Sequence, residues 1–169
     1  MTTNPYAPPT AVVADVQQNE SAPAIWNPNA AANWSLVFSP AFGAFLHMLN
    51  WRALGELQRE ATARLWFIAA LCMLALYLVL GLALAGFRGV EGATRTLGFG
   101  FLLVWYFSAA RGQAKFVKEK LGKSYQRKGW PKPLLIALAA FAGYILVAFL
   151  IGLVLGLMHW GISGALPSH

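Results

Sequence analysis

A single cysteine, Cys72, stands in the 169 residues, so no intrachain disulfide can form and no cluster of thiolates can hold zinc or iron. Charge is scarce as well: charged residues are 11% of the chain against 58% hydrophobic, and only six are acidic. That ratio leaves too little polar surface to coat a soluble globule. No Lys, Arg, Asp or Glu lies between Glu20 and Arg52, between Arg64 and Arg88, or after Lys132. Gaps of this kind are what a bilayer demands of a chain that crosses it. The first 20 residues lack both a basic start and an apolar stretch, so they are not expected to serve as a cleavable signal peptide. Insertion is expected to be driven by internal apolar segments.

Catalytic motifs are missing too. No Walker loop, dinucleotide fingerprint or HExxH motif occurs. His47 and His159 have no second His, Asp or Cys at ligand spacing and read as interfacial polar residues, while Ser108 and Cys72 have no base near them in sequence. The long apolar runs carry no ionisable Asp, Glu, Lys, Arg or His in their interiors, although such groups mark pathways and sites within a membrane. The sequence therefore predicts a non-enzymatic protein with no catalytic residue, no cofactor and no metal.

What is present is apolar length. Residues 65–87 are uncharged between Arg64 and Arg88, and as a helix they would cover about 34 Å. A longer block runs from Pro133 to Met158, with Pro suited to a first helical turn. Between them, residues 96–110 give a shorter uncharged run; Arg95 and Arg111 at its ends can snorkel outward and extend it. The few residues between Arg88 and Arg95 predict a helical hairpin. The expected fold is all-α: a helical bundle with three transmembrane helices, plus an inserted N-terminal segment interrupted by proline.

That N-terminal segment, residues 33–51, has Trp34 and Trp51 at its ends and Pro40 in its middle. With Ser39 as N-cap and Pro40 at N1, a helix would run to Asn50, about half a bilayer in length. Either this is a re-entrant half-helix or, since residues 1–51 contain no Lys or Arg, the segment crosses as a fourth span. Residues 1–32, with five prolines, read as a flexible tail. Residues 52–64 pair Glu56 with Arg59 and Glu60 with Arg64 at helical spacing, as an interfacial helix feeding the first span, with Gly55 as the break before it. The organisation expected is thus a tail over 1–32, an inserted and interfacial region over 33–64, a transmembrane bundle over 65–160, and a C-terminal tail over 161–169.

Basicity is concentrated in one place. Residues 111–132 hold eight of the 13 Lys and Arg residues against one Glu. Placing loops on alternate sides puts this stretch together with Arg52, Arg59 and Arg64, leaving Arg88 and Arg95 opposite, so the basic loop is expected in the cytoplasm and the C-terminus in the periplasm. Ala114, Val117 and Leu121 fall at helical spacing, so 111–121 can prolong the second span as a basic amphipathic helix ending at Gly122. Lys115, Lys118, Lys120, Lys123, Arg127 and Lys128 are the candidate contacts for anionic lipid headgroups or an acidic partner. Topology and lipid already account for the charge, so no nucleic acid is expected. Small residues mark a second candidate surface: Ala139, Gly143, Ala148, Gly152 and Gly156 in the last span, and Gly81 and Ala85 in the first, allow close helix approach, within one chain, between copies, or with another membrane protein.

The leader "NPYAPP" followed by "NWSLVFSPAFGAFLHMLNWRALGE" resembles a group of small, uncharacterised bacterial inner-membrane proteins. Those share a Pro-rich leader, an aromatic inserted segment, and a turn that is here Asn50, Trp51, Arg52, Leu54 and Gly55. The resemblance covers residues 4–60 and implies a multi-pass protein of the bacterial cytoplasmic membrane; it carries no activity and no catalytic residue. The function expected is that of an accessory or scaffold subunit associating with itself or with another membrane protein. An immunity protein against a toxin, or a small transporter or channel subunit, would use the same architecture.

Overall fold

The computed structural model describes residues 23–84, 87, 89–122 and 125–164. Ala85 and Lys123, residues 1–22 of the tail and residues 165–169 lie outside the described residues. Six α-helices follow one another: α1 (Pro28–Trp34), α2 (Pro40–Ala53), α3 (Leu57–Ala83), α4 (Val90–Trp105), α5 (Arg111–Leu121) and α6 (Pro131–Gly164), with a π-helical turn over Tyr106–Ala110 joining α4 to α5. No strand forms among the described residues; an isolated parallel bridge joins Ile25 to Arg127.

Local sequence explains most boundaries. The Asn27 side chain accepts from the amides of Asn29 and Ala30 at 3.0 and 3.4 Å, and Pro28 fills N1 where no donor is needed. Pro40 likewise opens α2 behind Ser39, although the Ser39 side chain makes no capping bond. Helix α2 closes in a Schellman arrangement: Gly55 takes φ 74°, its amide donates to the Arg52 carbonyl at 3.1 Å, and the Glu56 amide donates to the Trp51 carbonyl at 3.0 Å. Gly122, at φ 67°, ends α5.

Residues 57–64 do not form a separate interfacial element but are the first turns of α3, so the helix runs unbroken into the apolar stretch. Similarly α4, the π turn and α5 are continuous from Val90 to Leu121. The π turn follows from which side chains are buried on that helix: Trp105, Ala110, Gln113 and Val117. The five-residue step from Trp105 to Ala110 is the repeat of one i→i+5 turn, and it keeps both residues on the face toward α1 and α2.

Packing divides the molecule. One cluster gathers Ala32, Ala44, Trp105 and Ala110 with Trp66, Phe67 and Leu102 around them; another joins Met48, Trp51 and Ala63 to Phe45 and Phe116. By contrast α3 and α6 contain, among the described residues, two helical stretches long and apolar enough to cross a membrane, Leu57–Ala83 and Pro131–Met158, and only 6% of the most apolar window of each is buried. Helix α6 touches α3 through Tyr144, whose hydroxyl donates to the Leu74 carbonyl at 3.2 Å.

The tail boundary shifts from the sequence expectation. Residues 25–32 are packed rather than loose, with Ile25, Pro28, Ala31 and Ala32 all buried. They fold back because their backbone finds partners on α2 and on the loop after α5.

The tightest approach is at Gly43, where a Cβ would strike the Ser35 hydroxyl and the indole of Trp105. Replacing Gly43 with Leu is expected to destabilise the chain by about 1–3 kcal/mol through overpacking, read as a fall in thermal midpoint in detergent. Gly100→Leu, at a position with nothing within 4 Å of its Cβ, is the neutral control.

Candidate functional site

Most of the chain's buried polar side chains converge on one side of the molecule. Asn50 is fully buried on α2, and its amide makes three bonds: Oδ1 accepts from the Trp26 amide at 2.9 Å, while Nδ2 donates to the Trp26 carbonyl at 2.9 Å and to Gln113 Oε1 at 3.1 Å. Gln113, also fully buried, donates from Nε2 to the His47 carbonyl at 2.9 Å. A primary amide offers two donors and an acceptor, so Asn50 serves the extended backbone at Trp26 much as a neighbouring strand would.

His47 sits one turn earlier on α2 and is buried, not interfacial as its isolation in the sequence suggests. Its Nε2 lies 3.2 Å from the Pro28 carbonyl, which fixes that nitrogen as the N–H donor. The ring packs edge-on against Trp105 with centroids 5.6 Å apart, and Nδ1 is buried with no partner among the described residues.

A second layer ties the same elements to the basic loop. Ile25 donates to the Gln126 carbonyl at 3.2 Å and accepts from Lys128 at 2.9 Å. The Trp26 indole donates to the Gly129 carbonyl at 3.0 Å beneath the Lys128 ammonium, 4.5 Å from the ring centroid. Glu60, buried at the start of α3, accepts from Arg52 Nη2 at 2.7 Å and from Arg64 at 3.1 Å. The i,i+4 pair to Arg64 is legible from spacing; the bridge to Arg52 that clamps α2 onto α3 is not. Five residues at the end of α2 and in the turn after it each have a physical role. Asn50 clasps the Trp26 backbone, Trp51 places its ring 5.0 Å from Phe116, Arg52 bridges to Glu60, Leu54 caps the helix, and Gly55 makes the left-handed turn.

Next to the polar node, α2, the start of α3 and the π turn with α5 border an open cavity of about 420 Å³, whose lining includes His47, Trp51, Trp105, Arg59, Lys115 and Glu119. Another hollow, about 820 Å³, lies under the 35–39 turn between α3 and α4. At its rim Glu91 and Arg95 pair at 2.6 Å, as their spacing predicts.

The sequence-predicted contacts fall in different settings. Lys115, Lys118 and Lys120 are exposed on α5, Arg127 lies 5.4 Å over Tyr125, and Lys128 covers Trp26. Of the small residues, Gly152 has Leu82 3.9 Å from its Cβ position, while Gly81, Gly143 and Gly156 have nothing within 4 Å; Ala139 is exposed and Ala148 half-buried. Spacing did not single out Trp26, Asn50 or Gln113 as a site, although an uncharged amide in the middle of a basic stretch, as Gln113 is, is a usable signal. Among the described residues no group of three or more His, Cys, Asp or Glu gathers as a metal set would.

Replacing Asn50 with Leu leaves the Trp26 amide and carbonyl and the Gln113 oxygen without partners. The expected cost is roughly 2–4 kcal/mol, with faster hydrogen exchange at the Trp26 amide as the local readout.

Comparison with protein-family models, with curated proteins and with solved structures finds no match.

Proposed function

We propose that this chain is a multi-pass protein of the bacterial cytoplasmic membrane that works without catalysis, as an accessory or scaffold subunit associated with a second copy or with another membrane protein. The observation that carries it is the uncovered apolar length of α3 and α6. Leu65, Leu135, Ile136, Phe149 and Leu157 are each more than half exposed. A core helix of a soluble domain would be covered; here lipid or a partner helix has to supply the covering.

In this reading α3, α4 with its π turn, and α6 are the three spans. The α1–α2 segment is a re-entrant hairpin. It is anchored by the Trp26–Asn50 bonds and the Ile25–Arg127 bridge on one side, and α2 returns to that side at the Arg52–Glu60 clamp. Residues 23–29, 50–64 and 111–130 then share a face, and its excess of Lys and Arg orients it toward the cytoplasm. The exposed lysines of α5 meet anionic headgroups there. Gly143 and Gly156, which meet no other part of the chain, supply close contact for a neighbouring helix.

Single cysteines at positions 10, 92, 125 and 167, in a Cys72→Ser background, test the arrangement with a membrane-impermeant thiol reagent on intact cells. Positions 92 and 167 should label, and 10 and 125 should label only after permeabilisation. Labelling of position 10 from outside would replace the re-entrant hairpin with a fourth span. A compact monomer dispersed in plain buffer without detergent would overturn the membrane reading altogether.

A further inference from the structure

We propose that the cavity between α2, α3 and α5 is a seat for a single anionic glycerophospholipid, with the lipid phosphate at Arg59 and Lys115 and its glycerol and first methylenes against Trp51, Trp105 and Phe116. The proposal rests on the membrane reading above and adds to it a discrete site where diffuse attraction would otherwise suffice.

Three observations converge. The first is placement: the charged lining residues, Arg59, Lys115 and Glu119, belong to the elements of the basic face, whereas Trp105 and Ala109 belong to the apolar packing around the π turn. A cavity with a charged end and an aromatic end matches an amphiphile. The second is size, because about 420 Å³ accommodates a headgroup and backbone but not two acyl chains, which would remain in the bilayer. The third is charge. Two cations face one carboxylate, and the contacts they make with acids are long: Arg59 lies 3.7 Å from Glu56 and Lys115 3.9 Å from Glu119. Arg59 is instead held by its guanidinium over Phe116 and Trp51, 4.4 and 5.0 Å from the ring centroids. This fixes the charge without using its hydrogen-bond donors.

A phosphatidylglycerol headgroup carries a net negative charge that this pair of cations matches, and a phosphatidylcholine headgroup carries none.

Gly112 supplies the means of test. It lines the cavity, and a Cβ built on it meets nothing within 4 Å, so Gly112→Leu would fill the space without displacing backbone and without changing any charge. Purified full-length protein in a nonionic detergent would be titrated with short-chain phosphatidylglycerol, phosphatidylcholine of the same chain length, and inorganic phosphate. Saturating phosphatidylglycerol should raise the thermal midpoint by about 5 °C or more and the other two should not. Gly112→Leu should abolish the rise while itself remaining folded, Lys115→Gln should weaken binding about 5-fold or more, and Glu119→Gln should leave binding equal or tighter. Equal stabilisation by phosphatidylcholine, or an undiminished response in Gly112→Leu, would overturn the site. A full response to phosphate alone would overturn the lipid and leave a plain anion site. A chain that needs detergent yet ignores phosphatidylglycerol loses only this proposal, whereas one that is dispersed without detergent loses the membrane reading beneath it.

Discussion

The arrangement depends on one neutral amide. Asn50 bonds both polar groups of the Trp26 backbone and the oxygen of Gln113, and without it the segment before α1 would have an extended peptide to satisfy and nothing nearby to satisfy it. A charged side chain in the same place would carry the full penalty of ion burial. An apolar one would leave three polar atoms buried and unpaired. An amide fits because it donates and accepts at once and holds no net charge. Gln113 then extends the same logic across to α5 by donating to the carbonyl of His47. With α1, α2 and α5 tied in this way, the 35–39 turn is constrained at both ends and Gly43 is brought against Trp105.

Charge in the chain falls into two kinds by burial. Glu60 is enclosed and shared by Arg52 and Arg64, which joins the end of α2 to the start of α3 where the left-handed Gly55 reverses the chain. Breaking such a pair leaves an uncompensated charge, so it acts as a structural clamp. The pairs at Glu91–Arg95 and Lys115–Glu119 are exposed and contribute little to stability. Their worth is in what the cations meet outside the chain. Arg59 and Lys128 are intermediate: the charge of each rests on aromatic rings, with Glu56 only at 3.7 Å from Arg59, an arrangement that keeps a cation positioned and still available to an anion.

Legibility in the sequence followed contact range. Ser39 before Pro40, Gly55 after α2, Gly122 after α5, and the Glu56–Arg59, Glu60–Arg64 and Glu91–Arg95 pairs are all set by neighbours within a few positions, and periodicity reveals them. The prolongation of the second apolar run by 111–121 was visible in Ala114, Val117 and Leu121 for the same reason. The Trp26–Asn50 and Asn50–Gln113 contacts join residues 24 and 63 positions apart. No local pattern encodes a partner at that distance, so residues 23–32 read as tail on composition alone. The π turn was hidden likewise: it answers to which side chains must face α1 and α2, a tertiary demand, and "YFSAA" is unremarkable as helix. Of the apolar runs, 65–83 and 133–158 lie in helices that meet the length and hydropathy requirement for crossing a membrane, and 96–110 does not.

The two halves of the molecule are built to different standards, and this bears on where its function resides. Around Trp105, Asn50 and Gln113 the side chains interlock, polar groups are matched, and a single added carbon at Gly43 has no room. Along α6 packing is sparse: Ala137 is buried and Tyr144 meets α3, but most of its apolar side chains are exposed and Gly143 and Gly156 face open space. A chain that required α6 for its own stability would have packed it. Since apolar side chains gain nothing by leaving lipid for one another, small residues on such a helix matter only where another backbone comes close. On the proposed reading, the interlocked half would be the rigid part that presents Arg59 and Lys115 in one geometry, and α6 would be the part left to meet its surroundings.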